Sequence, residues 1–170
     1  MTHAAVLTIS DSVHVGTRED RSGPAVQERL EQLGWSASVL EVVPDDPEVI
    51  AHRLATLADG GQVSAIFATG GTGVAARDLT PEATRKVIER EIPGLAESMR
   101  SLGRISTPLA VLSRGIAGTR GQVLIVNLPG SPQGAVESLN AIVDVVPHIL
   151  ELLRGQTAHV PADAKPGGGA

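Results

Sequence analysis

The chain has 170 residues, 42% of them hydrophobic, a net charge of −5 and no cysteine. That is enough apolar material for an independent core, and it excludes disulfide frameworks, thiolate metal sites and disorder of the whole chain. The acidic balance, with Trp35 and Phe67 as the only aromatic residues, argues against a nucleic-acid partner, which needs a basic face and stacking platforms.

Apolar residues predict a first strand over 4–9, followed by a long polar loop from Ser10 to Ser22. Val26, Leu30 and Leu33 then recur at helical spacing. A second strand is expected over 36–43 and a helix over 47–58, with Ile50, Leu54 and Leu57 inward. Ala65-Ile66-Phe67-Ala68 reads as a buried third strand. It leads into a glycine-rich loop and a helix over 81–90, in which Ala83 and Val87 share a face. A short helix over 93–102 aligns Leu95, Met99 and Leu102. Residues 109–116 and 122–128 read as two strands around a tight turn at Gly118-Thr119-Arg120-Gly121. A last helix over 132–153 carries Ala135, Leu139, Ile142, Val146, Ile149 and Leu153 on one stripe. It is expected to kink at Pro147, which lacks a backbone donor.

Strands alternating with helices define the class as α/β: a three-layer α/β/α sandwich with a mostly parallel central sheet and one antiparallel hairpin. One domain is expected over 1–154, and the Pro-, Gly- and Ala-rich tail over 155–170 is expected to be disordered. No apolar run reaches the roughly 18 residues of a membrane span, and the chain opens without a basic leader, so a cytoplasmic protein without a membrane partner is expected.

The chemistry is concentrated in Thr69-Gly70-Gly71-Thr72-Gly73-Val74-Ala75-Ala76-Arg77-Asp78. Glycines let successive N–H groups face outward as a phosphate nest, and the threonine hydroxyls add donors. Thr80-Pro81 then opens a helix, with threonine as cap and proline in the first turn. The run is not a Walker loop, because no Gly-Lys-Ser/Thr follows. Nor is it a dinucleotide fingerprint, because Ala76 stands where the third glycine belongs. A plain strand-to-helix turn uses the same glycines; Arg77-Asp78 and the capped helix favour a phosphorylated ligand.

Four junctions, Gly23-Pro24, Asp46-Pro47, Thr80-Pro81 and Ser131-Pro132, set helix N-termini just beyond strand ends, on the sheet edge where ligands bind. Ser10-Asp11-Ser12, Pro44-Asp45-Asp46-Pro47 and Asn127-Leu128-Pro129-Gly130-Ser131-Pro132 would share that edge. Asp46 is most simply the cap of its helix, which leaves Asp45 for a metal or catalytic role. Asp78 serves either a local turn with the backbone of Thr80 or chemistry; Asp11 can be a turn residue, and Ser131 a cap or a phosphate ligand. Two carboxylates beside a phosphate nest suit magnesium and phosphoryl or nucleotidyl transfer. The five histidines show no metal-ligand spacing, and no Gly-x-Ser-x-Gly elbow is present.

Thr69–Gly73 followed by Arg77-Asp78-Leu79-Thr80-Pro81-Glu82-Ala83 closely resembles the signature of the Mog/MoaB family of molybdenum-cofactor proteins, which is related to the gephyrin G domain. Leu128-Pro129-Gly130-Ser131-Pro132 is similar to that family's second loop motif. Thr8-Ile9-Ser10-Asp11, with Asp20-Arg21-Ser22-Gly23-Pro24, looks like its amino-terminal motif; Val43-Pro44-Asp45-Asp46 and Leu112-Ser113-Arg114 also fit. The resemblance spans residues 4–153.

It implies a mostly parallel α/β fold, a trimer or alternatively a hexamer, and adenylylation of molybdopterin. ATP and the molybdopterin phosphate would give adenylyl-molybdopterin and pyrophosphate, with Mg2+, for use by a molybdenum-insertion protein. By motif position, Asp45 and Asp78 would be the catalytic pair and the metal ligands. Ser10, Asp11, Thr69, Gly70, Gly71, Thr72, Gly73, Ser113, Arg114, Pro129, Gly130 and Ser131 would bind the pterin and phosphate groups. Ser12 stands where the family usually carries a basic residue, and Arg18, Arg21, Arg77 and Arg114 are the candidates to compensate. Arg77 beside Asp78 points to the adenylyltransferase branch. The compact length points to the MoaB-like branch, so a non-catalytic molybdopterin-binding or carrier oligomer is the alternative.

Overall fold

The computed structural model describes residues 1–156, so almost all of the tail expected to be disordered lies outside the described residues. One sheet is built from β1 (His3–Ile9), β2 (Ser36–Val43), β3 (Ala65–Thr69), β4 (Arg90–Glu91), β5 (Ala117–Arg120) and β6 (Val123–Leu128), in the order β2-β1-β3-β6-β5-β4. The first four strands in that order run parallel, and the pairs β6–β5 and β5–β4 are antiparallel. The helices are α1 (Asp11–His14), α2 (Ser22–Gln32), α3 (Pro47–Asp59), α4 (Thr80–Arg85), α5 (Pro93–Ser106), α6 (Pro132–Asn140) and α7 (Val146–Leu153).

Side chains alternate across a strand, and here both faces are apolar, so helices must cover both. Val6, Phe67 and Val126 face Val26 and Leu30 of α2, Met99 of α5 and Leu139 of α6. Leu7, Ile66 and Ile125 point the other way, toward Ile50 and Leu54 of α3 and Ala83 of α4. The three-layer α/β/α sandwich follows from that alternation. Trp35 packs against Phe67 with ring centroids 6.1 Å apart. No helix of the described residues is long and apolar enough to cross a membrane.

The connections differ from the sequence reading, each for a local reason. The loop expected over 10–22 contains α1, capped by the Ser10 hydroxyl, which accepts from Val13 N at 3.3 Å. The helix expected over 81–90 stops at Arg85. Glu89 N then donates to Thr119 O at 2.7 Å, because β5 still has unpaired backbone groups that β4 can satisfy. Residues 109–116 are not a strand. Pro108–Leu112 is a 3-10 turn, with Thr107 Oγ1 accepting from Leu109 N. Gly118–Arg120 belong to β5, and the hairpin turns one step later at Gly121, which has φ +54°.

The last helix is two helices. Pro147 falls in the first turn of α7, where a missing N–H leaves nothing unpaired, so the break lies before it and no kink is needed. Leu102 is 42% exposed rather than inward, and Ala58 takes the buried place expected of Leu57, which is only partly buried.

Candidate active site

The parallel strands β1, β2, β3 and β6 end at Ile9, Val43, Thr69 and Leu128, all on one edge of the sheet. Connections leave β1 toward β2 on one side and return to β3 on the other, which opens a crevice between β1 and β3 at that edge. Because β5 runs antiparallel, its entry segment arrives at the same edge. Ile116 exchanges hydrogen bonds with Asn127 there (Asn127 N to Ile116 O 2.9 Å, Ile116 N to Asn127 Oδ1 3.2 Å). That brings Ser113 beside loops that lie far from it in sequence.

The glycine loop is stitched to its neighbours through backbone. Gly70 adopts φ +105° and donates its N–H to Leu128 O at 3.1 Å. An ideal Cβ on Gly70 would lie under 3.0 Å from Ile9 O, and one on Gly130 would lie 3.3 Å from Gly70 Cα. Only glycine permits that approach at φ +105°. Thr69 Oγ1 donates to Pro129 O at 2.6 Å and Thr80 Oγ1 to Gly70 O at 2.8 Å. Thr80 therefore does not cap α4 as expected; its hydroxyl braces the loop. Asp46 and Ser131 do cap their helices, accepting from Val49 N at 3.1 Å and Gly134 N at 3.1 Å.

The two singled-out aspartates come from different loops. Asp45 Oδ2 accepts from Asp11 N at 2.9 Å while Asp45 N donates to Asp11 Oδ1 at 2.9 Å, a reciprocal bracket between the loops after β1 and β2. Asp78 turns back on Ala75, whose N–H donates to Asp78 Oδ2 at 3.0 Å, rather than forward to Thr80. Glycines make room for both carboxylates. A Cβ on Gly71 would lie 3.3 Å from Asp45 Oδ1, and one on Gly73 would lie 2.8 Å from Asp78 Oδ2.

Two adjoining cavities meet at this edge. One of about 490 Å³ lies under α5 and the 3-10 turn and includes Thr72, Ser113 and Pro129 in its lining. The other, of about 330 Å³, is lined by Ser10, Thr69, Gly70, Asp45 and the guanidinium-bearing Arg18, Arg21 and Arg77. Gly71, Asp78, Gly130 and Ser131 line both. Asp11 and Arg114 line neither. Gly73 lines only the larger cavity.

Arg114 instead acts as a clamp. Its Nε donates to Gly73 O at 2.7 Å, and its terminal nitrogens bond Asp78 O and the Glu82 carboxylate. The guanidinium holds the Glu82 carboxyl below its ordinary value of 4.5, outweighing the opposing effect of burial. Of the cations that could compensate for Ser12, Arg114 is thus committed, while Arg18, Arg21 and Arg77 line the smaller cavity. Arg100 and Glu137 also line the larger cavity, and sequence reasoning passed over both. Each sits on an amphipathic helix where a charge reads as solvated surface; only tertiary packing turns it inward. Among the described residues, no three His, Cys, Asp or Glu side chains gather into a metal cage.

The family model described as "Probable molybdopterin binding domain" matches residues 5–148. The molybdopterin adenylyltransferase of Helicobacter pylori strain J99 is 40% identical over 160 residues, covering 93% of this chain and 91% of that protein. Its counterpart from Escherichia coli K12 is 36% identical over 164 residues, covering 88% and 84%. The crystal structure of the molybdopterin biosynthesis enzyme MoaB of Thermus thermophilus superposes with a TM-score of 0.85 at 48% identity, over 91% of this chain and 98% of that one. With the two loop motifs, the sheet order and the cavity edge all in place, the chain belongs to the Mog/MoaB family of molybdopterin-binding-domain proteins.

Proposed function

We propose that this chain is a molybdopterin adenylyltransferase of molybdenum-cofactor biosynthesis. The observation that carries this reading is the smaller cavity, where Asp45 and Asp78, from separate loops, face the same space as three guanidinium groups and the glycine loop. A phosphate oxygen of molybdopterin attacks the α-phosphorus of ATP. The bond from that phosphorus to the bridging oxygen breaks, and pyrophosphate leaves with the electron pair. Catalysis of this kind is mostly positioning and charge stabilisation. Backbone N–H groups of the glycine loop and Arg18, Arg21 and Arg77 hold the phosphates, and Ser131 adds its helix N-terminus.

The donor set fits magnesium, which takes one or two carboxylates and otherwise keeps water and phosphate oxygens. Asp45 and Asp78 have that number and chemistry, and Gly71 and Gly73 leave the space beside each carboxylate that a Cβ would fill. A bound magnesium ion supplies charge neutralisation for the polyphosphate. The two aspartates orient the reacting phosphates, and Arg114 keeps Asp78 in register through its carbonyl. Thr69, Gly70 and Gly130 hold the two loops together as one wall.

We infer a cytoplasmic homo-oligomer, a trimer with a hexamer as the alternative, that passes its product to a molybdenum-insertion protein. Leu102, Ile105 and Val111, exposed on α5 and the 3-10 turn, are apolar side chains that a second copy would cover. The test is pyrophosphate release by purified protein given molybdopterin and Mg-ATP. Asp78→Asn is expected to lose more than roughly a hundredfold in turnover, the scale of losing one preorganised electrostatic group. Normal turnover by that variant removes Asp78 from the chemistry. One observation favours a carrier instead: both carboxylates already accept a backbone N–H. Tight molybdopterin binding without pyrophosphate at any magnesium level supports that carrier.

A further inference from the structure

The bracket between Asp11 and Asp45 fixes which oxygen of Asp45 faces the glycine loop. β1 and β2 run parallel with Ile9 opposite Val43, and Ser10 N donates to Val43 O at 3.0 Å, so the two chains leave the sheet side by side. Asp11 and Asp45 each lie two positions beyond that pair, and they meet through backbone and side chain alike. The bracket occupies Asp45 Oδ2, which accepts from Asp11 N at 2.9 Å. Asp45 Oδ1 has no protein partner among the described residues and faces Gly71, where a Cβ would approach it to 3.3 Å.

The two aspartates of the smaller cavity are thus held by different means. Asp78 is fixed within its own loop by Ala75 N, and Arg114 grips its carbonyl. The Asp45 carboxylate instead draws its protein partner from the loop after β1, because the next residue, Asp46, is spent on capping α3. Asp11 itself is exposed, lines neither cavity and forms no ion pair among the described residues. Its path to a ligand runs through Asp45. A carboxylate that ligates a cation keeps one oxygen forward only when an outer hydrogen bond holds the other.

Resting on the adenylyltransferase reading and its magnesium ion, we propose that Asp11 is a positioning residue for Asp45. It keeps Asp45 Oδ1 turned into the smaller cavity and touches neither substrate nor metal. Its side chain serves as the acceptor for Asp45 N, so the role needs an oxygen atom there and not a charge. Without that oxygen the loop after β2 is unpinned, and the two oxygens of Asp45 can exchange places.

The experiment measures Mn2+ binding beside α,β-methylene-ATP, which cannot transfer its adenylyl group, through the paramagnetic resonance signal of free Mn2+. Asp11→Ala is expected to weaken Mn2+ binding and to slow pyrophosphate release, each by about ten- to hundredfold, the scale of losing a partner that orients a ligating carboxylate. Its KM for molybdopterin stays as in wild type. Asp11→Asn keeps an amide oxygen for Asp45 N and is expected to recover Mn2+ binding to within about threefold of wild type, the remainder being one exposed, screened charge. At an exposed position Asp11→Ala is expected to melt within about 3 °C of wild type, and a fall beyond about 10 °C makes the bracket a fold contact and overturns the proposal. Asp11→Asn as weak as Asp11→Ala also overturns it, because the charge is then the working part. Asp11→Ala that binds Mn2+ as tightly as wild type does so too, as does wild-type protein that binds no Mn2+ beside the nucleotide. Loss in Asp11→Ala and recovery in Asp11→Asn, in a protein that releases no pyrophosphate, upholds Asp11 and removes only the transferase reading. Pyrophosphate release at the wild-type rate by Asp11→Ala removes Asp11 and leaves the transferase reading intact.

Discussion

Replacing Gly70 by alanine isolates the close approach that joins β1, β3 and the loop after β6. The new methyl group meets two costs. At φ +105° a Cβ is strained, by about 1–2 kcal/mol for a residue forced to positive φ. It also falls under 3.0 Å from Ile9 O, a backbone atom in a central strand that cannot swing away, and such overpacking costs about 1–3 kcal/mol. Gly121 separates the two effects. It too has positive φ, +54°, but a Cβ there meets nothing within 4 Å. The expected losses are about 4 kcal/mol for Gly70→Ala and about 1 kcal/mol for Gly121→Ala. In a domain of this size these correspond to falls in melting temperature of about 12 °C and about 3 °C. Thermal melts of both variants at one protein concentration, followed by circular dichroism, measure the difference. Equal falls refute the argument, since they would leave strain alone and no contact between the loop and β1.

Other expected outcomes rest on independent contacts. Asp46→Ala removes two acceptor contacts at the start of α3 and should cost about 1 kcal/mol in urea unfolding without changing molybdopterin binding. Glu82 has a lowered pKa in the folded state, so its pairing with Arg114 stabilises the protein above the ordinary 4.5 and is lost as pH falls through the folded value. Glu82→Gln should therefore melt below wild type at about pH 7, and the gap should close in acid; a gap that widens in acid contradicts the pairing. Phe67→Ala empties a fully buried site beside Trp35 and should cost about 3–5 kcal/mol, with a change in tryptophan emission as the local readout.

The split between what sequence and packing each contribute is clearest at single residues. Alternation in β1, β3 and β6 and helical spacing in α2 and α3 are local properties, so layers and class are legible from the chain alone. Asp46 and Ser131 cap their helices as read, because a cap bonds only two or three residues away. Thr80 does not, because the Gly70 carbonyl, ten residues earlier in the glycine loop, takes its hydroxyl. Residues 109–116 and 118–121 have strand-like and turn-like compositions, yet the antiparallel pairing of β5 with β6 and β4 decides where each begins. Arg114 is legible as a functional residue but not as a clamp, since its partners Gly73, Asp78 and Glu82 lie more than thirty positions away.

By itself the sequence determined that this is a sandwich with a glycine loop, an acidic pair and capped helices at one sheet edge. Local propensity and motif chemistry act over a few residues, and those features need no more. Only the tertiary structure decided that Asp45 is bracketed with Asp11, that Arg114 lines neither cavity, and that Glu137 lines the larger one. Each depends on elements distant in the chain meeting in space, which the order of the sheet controls and no window of sequence contains.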